Sequence, residues 1–164
     1  MNAKIIITDE LFKNLQTKVR EKMLPHQWLA LNDKFEGEQK SHAVRNLKIA
    51  AEHDEKSVSM VEYGDFAKES DLCKWMEAAA YSLADFKDEK LENVMDELSD
   101  LFAKAQADDG YLNTYYIAKG EKQRFNSLSE MHELYCAGHL IEAAVAYYNA
   151  TGKTVLLNAV KKYA

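Results

Sequence analysis

His132-Glu133-Leu134-Tyr135-Cys136-Ala137-Gly138-His139-Leu140-Ile141-Glu142-Ala143 reads as the middle of a long, mostly apolar helix. A helix advances about 100° per residue, so offsets of four and three put His132, Cys136 and His139 on one narrow face. Three side chains that bind protons, metals or hydroxyls then point one way, in a segment that otherwise favours burial. The pattern implies a polar pocket cut into a helical core. Ser127 and Glu130 form a capping-box pair that opens this helix, and Thr151-Gly152 ends it after Tyr148.

The flanking segments are helical as well. Leu91, Val94, Met95, Leu98, Leu101, Phe102 and Ala105 give the clearest apolar stripe, ending near Gly110. Leu72, Trp75, Met76, Ala79 and Leu83 form another, with Ser70 or Asp71 as its cap. Asp9 caps a helix from Glu10 to about Met23, and Pro25 suits the first turn of a short helix carrying Gln27, Trp28 and Leu31. Ser41 starts a further helix through Val44, Leu47 and Ile49-Ala50-Ala51. Ile5 to Thr8 is a short strand or an extended lead-in, and His53 to Lys68 reads as a polar loop. A last helix begins near Lys153 and is still in pattern at Tyr163-Ala164, with no cap to close it. Helix pairs repeat along the chain, the pattern of an α-hairpin array or an α/α toroid.

Composition narrows the class. One proline and six glycines in 164 residues argue against an all-β fold. The net charge of −6 is spread along the chain, and no basic cluster is interleaved with aromatics, so nucleic-acid binding is not expected. No apolar run is long enough for a signal core or a membrane span, which points to a cytoplasmic chain. Reduced thiols at Cys73 and Cys136 suit that compartment.

The face of His132, Cys136 and His139 admits three readings. Imidazole and thiolate at this spacing are good zinc ligands, although a zincin motif has histidine where Cys136 stands. Buried, hydrogen-bonded histidines beside a packed cysteine are the second reading. A substrate pocket is the third. The stretch Asp109-Gly110-Tyr111-Leu112-Asn113-Thr114-Tyr115-Tyr116 reads as a loop with rings, an amide and a hydroxyl, a mixture that suits sugar. A rigid loop whose tyrosines plug the core edge explains it equally well. Glu69 and Asp71 flank a helix N-terminus, where capping is the ordinary role. Trp75 on its apolar stripe reads as core.

Together, Pro25-x-Gln27-Trp28-x-Ala30-Leu31-Asn32-Asp33, Ser70-Asp71-x-x-Lys74-Trp75-x-Glu77-Ala78, Asp109 to Tyr116 and His132 to Ala143 resemble glycoside hydrolase family 127, the β-L-arabinofuranosidase family. The resemblance runs from about Leu11 to Ala164 and corresponds to the N-terminal part of a longer family member. It implies an all-α fold, with residues 1–164 forming one helical unit of hairpins at the start of an (α/α)6 barrel. The later barrel helices and β-rich domains lie beyond this stretch.

Family members cleave terminal β-L-arabinofuranosides with retention, using a zinc-bound cysteine thiolate and a glutamate acid/base from the later half of the barrel. Neither Cys73 nor Cys136 corresponds to that nucleophile. The resemblance therefore implies no catalytic residue, no metal ligand and no cofactor in this chain, with zinc belonging to full-length members. His139 matches a family histidine that binds the arabinose, Gln27 a pocket glutamine, and Glu69-Ser70-Asp71 stands where the family has Asp-Ser-Asp.

The expected sugar-binding residues are thus Gln27, Asp71 and His139, with His132 and Glu133 shaping the pocket wall and Tyr111 and Asn113 contributed by the loop. The expected partner is a carbohydrate, and the stretch alone is expected to be inactive. The alternative is a non-catalytic helical sugar-binding or interaction module. Apolar faces left open by a partial toroid predict self-association.

Overall fold

The computed structural model describes residues 6–37, 39–52, 68–119 and 123–164. Among them there is no strand, and the architecture is all-helical as expected. Helix α1 covers Glu10–Lys18, and a π-helical turn, Val19–Met23, joins it to α2, Leu24–Leu31. Then come α3 (Ala43–Glu52), α4 (Lys68–Asp85), α5 (Glu89–Ala105), α6 (Thr114–Lys119), α7 (Leu128–Met131), α8 (Glu133–Thr151) and α9 (Val155–Tyr163). No described helix is long and apolar enough to cross a membrane.

The helices form two layers. In one, α4 lies between α2 and α8; in the other, α5 lies between α3 and α9, behind the first layer. Lys74 on α4 faces Tyr135 on α8, and Glu77 faces His139, so these two helices run in the same direction. The α1–α2 rod runs the opposite way along α4: Leu24 meets Trp75, and Gln16 meets Asp85.

The apolar stripes read from the sequence make the contact between layers. Leu72, Met76, Ala79, Met95, Leu98, Phe102 and Ala105 are all buried in one core with Leu140, Ala143, Tyr147 and Leu156. Leu91, Val94 and Leu101 pack against its edge. Trp75 is core, as its stripe position required. Its ring stacks on Trp28 at 4.7 Å, and its indole nitrogen donates to the Leu24 carbonyl at 3.0 Å.

Asp9 caps α1 as expected, its carboxylate accepting from the Leu11 and Phe12 amides at 2.9 and 3.2 Å. The helices read on either side of Pro25 are one kinked rod. Proline has no amide hydrogen and its ring crowds the carbonyl four residues back. The wider π turn, with the Leu24 amide donating to the Val19 carbonyl, accommodates it.

Other boundaries differ from the sequence reading. Helix α4 starts at Lys68, so Ser70 and Asp71 sit inside its first turn rather than capping it. Helix α5 stops at Ala105, short of Gly110. Thr114, Tyr115 and Tyr116, read as loop, begin α6. The expected loop at 53–67 and Ile5 lie outside the described residues, and Ile6 to Thr8 belong to no strand.

The helix expected from Ser127 is broken. Ser127 stands at the start of α7 and Glu130 comes within 3.4 Å of its hydroxyl, but the helix turns at His132. That residue adopts φ 56° and ψ 26°, the left-handed region. Histidine is among the few non-glycine residues that enter this region with some frequency. Gly152 ends α8 in the same conformation, as the sequence indicated.

Candidate functional site

Gln27 projects from α2 and Asp71 from α4, and the two line one open cavity of about 470 Å³. Its other walls include Lys74, Trp75, Ala78 and Ser41. Both expected residues are exposed, so their amide and carboxylate are available to a ligand. The antiparallel passage of α2 along α4 brings them together across 44 residues of sequence. Lys74 stands 3.9 Å from the Asp71 carboxylate and also lies over the Tyr135 ring, 5.0 Å from its centroid.

The same surface continues onto α8. The Tyr135 ring is edge-on to His139 at 4.6 Å and to His132 at 5.8 Å. Next to His139 stand Glu77 and Glu142, and Tyr81 donates to Glu77 at 3.0 Å. Tyr135 and Tyr81 are 47% and 60% exposed, so two aromatic faces are open along this strip. Open rings beside carboxylates, an amide and a lysine match the C–H faces and hydroxyls of a sugar. Lys74, Glu77, Tyr135 and Glu142 belong to the motifs quoted from the sequence but carried no role there, and Tyr81 did not figure in it. Their spacing along α4 and α8 marks a helix face, but only the packing of the two helices shows that the face is open.

Three other expected residues are inside the protein. Tyr111, Asn113 and Glu133 are 5%, 1% and 0% exposed. The Tyr111 hydroxyl donates to Glu133, whose other oxygen accepts the Phe125 amide at 2.9 Å. Asn113 donates to Glu69 at 3.0 Å, and its own carbonyl accepts the Tyr116 amide at 3.3 Å. Their polar atoms bind one another in this structure, and nothing of Glu133 reaches the surface. Within the 109–116 segment, Tyr111 and Tyr116 are buried at the edge of the core.

Gly110 shows how closely that segment is seated. Its φ is 94°, and a Cβ there would collide with the Lys162 carbonyl of α9. Gln106 adds donations to the Gly110 and Ala159 carbonyls at 2.7 and 2.8 Å. Arg124 closes the outer side, pairing with Asp109 at 2.7 Å and lying 3.9 Å from the Tyr111 ring centroid.

Beneath the loop, Glu69 accepts from Asn113 and from the Thr114 amide at 2.7 Å. Burial pushes its carboxyl up to about 7, against the lowering effect of the hydrogen bonds from Thr114 and Cys136. Burial also pushes both thiols up, with Glu69 adding to the effect at Cys73 and Cys136.

This arrangement tests the metal readings. A zinc-bound thiolate needs a deprotonated sulfur with other ligands converging on it. Cys73 and Cys136 are buried, neutral thiols beside an acidic group, and no set of convergent ligand atoms among the described residues includes either one. The residues present do not fit a zinc–cysteine centre. His132 sits at the turn before α8, off the helical register that was to align it with Cys136 and His139. The reading of those three as one metal site is thereby corrected.

The sequence profile described as "Beta-L-arabinofuranosidase, GH127 catalytic domain" matches residues 4–164. This chain belongs to the GH127 family. A non-reducing end β-L-arabinofuranosidase of Bifidobacterium longum is 38% identical over 177 residues, which cover 98% of this chain and 26% of that protein. The crystal structure of a GH127 β-L-arabinofuranosidase from Geobacillus stearothermophilus T6 superposes with a TM-score of 0.91 at 43% identity, covering 98% of this chain and 25% of the other. A further GH127 β-arabinofuranosidase superposes at 0.82 with 28% identity, over 96% and 25% of the two chains. The GH127 helices seen here thus span about a quarter of the length of these relatives.

Proposed function

We propose that residues 1–164 form the N-terminal helical unit of a β-L-arabinofuranosidase-like catalytic domain and supply part of its sugar-binding wall. The carrying observation is that Gln27 and Asp71, from two helices, share one cavity. Gln27 and Asp71 hydrogen-bond sugar hydroxyls there, and His139 does so further along the same strip. Tyr111, Asn113 and Glu133 act as the frame behind the wall, and His132 sets the angle of α8.

The ligand is a terminal β-L-arabinofuranoside or a close relative, as the names of the similar proteins indicate. The nucleophile, the acid/base and the zinc that the family resemblance implies are supplied by later parts of a full-length member, together with the remaining barrel helices and β-rich domains. The two free, buried thiols suit a cytoplasmic setting.

Two measurements test this reading. Pure protein ending at Ala164 gives no turnover of an aryl β-L-arabinofuranoside; steady release of the aryl group, resistant to repurification, refutes the fragment assignment. In saturation-transfer NMR, L-arabinose protons receive magnetisation from the chain, and Gln27→Ala with Asp71→Ala abolishes the transfer. Transfer undiminished in the double variant places the sugar elsewhere.

A further inference from the structure

On the open face of α4 and α8, Glu77, His139 and Glu142 each bring a ligand atom within 4.8 Å of the other two. Two of them come from one face of α8, three residues apart, and the third from the helix packed beside it. Such a scaffold is rigid, and rigid elements hold a ligand set better than loops do.

A second observation concerns His139 itself. Its Nδ1 is closed off from solvent and makes no hydrogen bond. Glu142 Oε2 nevertheless lies 3.1 Å from it, too poorly aligned to be its acceptor. Two ligands sharing one tetrahedral zinc ion, each at about 2.1 Å, stand roughly 3.4 Å apart. The His139–Glu142 pair is therefore already near the separation that a shared ion requires. Glu77 completes the set, and one of its oxygens accepts from the Tyr81 hydroxyl at 3.0 Å. No described lysine or arginine forms an ion pair with Glu77 or Glu142, so a dication meets two uncompensated carboxylates.

We propose that Glu77, His139 and Glu142 bind one divalent first-row transition-metal ion on the exposed face of the α4–α8 pair. One imidazole and two carboxylates make a mixed nitrogen–oxygen set, which favours zinc, cobalt or nickel over the all-oxygen preference of calcium and magnesium. Metal and sugar then compete for the His139 imidazole, so the bound ion closes the far end of the sugar strip. Metal binding itself is read without sugar and stands independently of the proposed glycosidase role.

The test is a titration of the full chain with cobalt(II), followed by its visible d–d absorption, and with zinc(II) by calorimetry. One equivalent is expected to bind, with the intensified cobalt bands of a four-coordinate nitrogen–oxygen site, undisturbed by excess magnesium. Glu142→Gln and His139→Gln each weaken binding by about tenfold or more. The Glu142 side chain is 60% exposed, so that variant retains the fold. His42→Gln, at the separate His42–Asp33 pair, leaves binding unchanged and serves as the control. Absence of stoichiometric binding, or binding indifferent to Glu142→Gln and His139→Gln, overturns the proposal. Loss of binding in His42→Gln instead moves the ion to the Asp33 site and overturns it equally.

Discussion

Glu69 is a carboxyl held where water cannot reach it, with its acceptors directed at Asn113 and Thr114. Its carboxyl is raised from 4.5 to about 7, so the folded state holds this proton more tightly than the unfolded chain does. Its contribution to stability is therefore fully present below about pH 4.5, falls as pH rises toward 7, and is flat above that. The change amounts to something on the order of 3 kcal/mol. Urea unfolding of the wild type and Glu69→Gln at pH 5 and pH 7.5 checks this. The wild type loses more stability over that interval than the variant; equal losses sink the assignment. The sequence gives Glu69 as a residue near a helix start, and capping is the natural reading. What it cannot display is a loop 44 residues away that folds over the carboxyl and dries it.

His132 is where the element scale departs most from the local pattern. Ser127 and Glu130 signal a helix start correctly, and the apolar run from Leu134 to Tyr148 signals a helix correctly. The join between them is invisible because no glycine or proline marks it. The left-handed turn at His132 is set by tertiary demands: Glu133 must sink to reach Tyr111 and the Phe125 amide.

The two conformations at His132 predict opposite mutational orders. In a continuous helix, His132→Gly costs roughly 0.3–0.5 kcal/mol and His132→Val is close to neutral. At φ 56°, His132→Gly is neutral or stabilising, whereas His132→Val costs roughly 1–2 kcal/mol because a branched Cβ crowds the backbone there. Denaturation midpoints of the two variants decide between them, and a glycine variant weaker than the valine variant contradicts the turn. The long stripes of α4 and α5 were legible for the converse reason: each buries one continuous face, so periodicity alone carries the signal.

For the molecule as a whole, the apolar surface of α1 is the feature that asks for a partner. The helix has no buried residue, and Leu11, Phe12 and Leu15 are 64%, 58% and 46% exposed. Val19 and Met23 extend the stripe along the π turn. The rod is tied to the rest at Gln16–Asp85 and by Arg20 over the Phe86 ring, which leaves the outward stripe uncovered. A patch of this kind is unusual on a protein that acts alone. The sequence shows the stripe plainly at fourfold spacing, but a buried stripe and an exposed one have the same spacing. Only the packing tells them apart.

In the relatives, about three quarters of the chain lies outside the part matched here, and elements from it are available to cover such a face. With residues 1–164 alone, a second copy is the only apolar surface on offer. Light scattering coupled to size exclusion over a concentration series should show reversible association. Leu11→Glu with Leu15→Glu should return the chain to a monomer, while changing stability by no more than about 0.5 kcal/mol per site. A wild type that stays monomeric throughout the series would show that this stripe is tolerated in water, and would favour an independent helical module over a piece of a closed barrel.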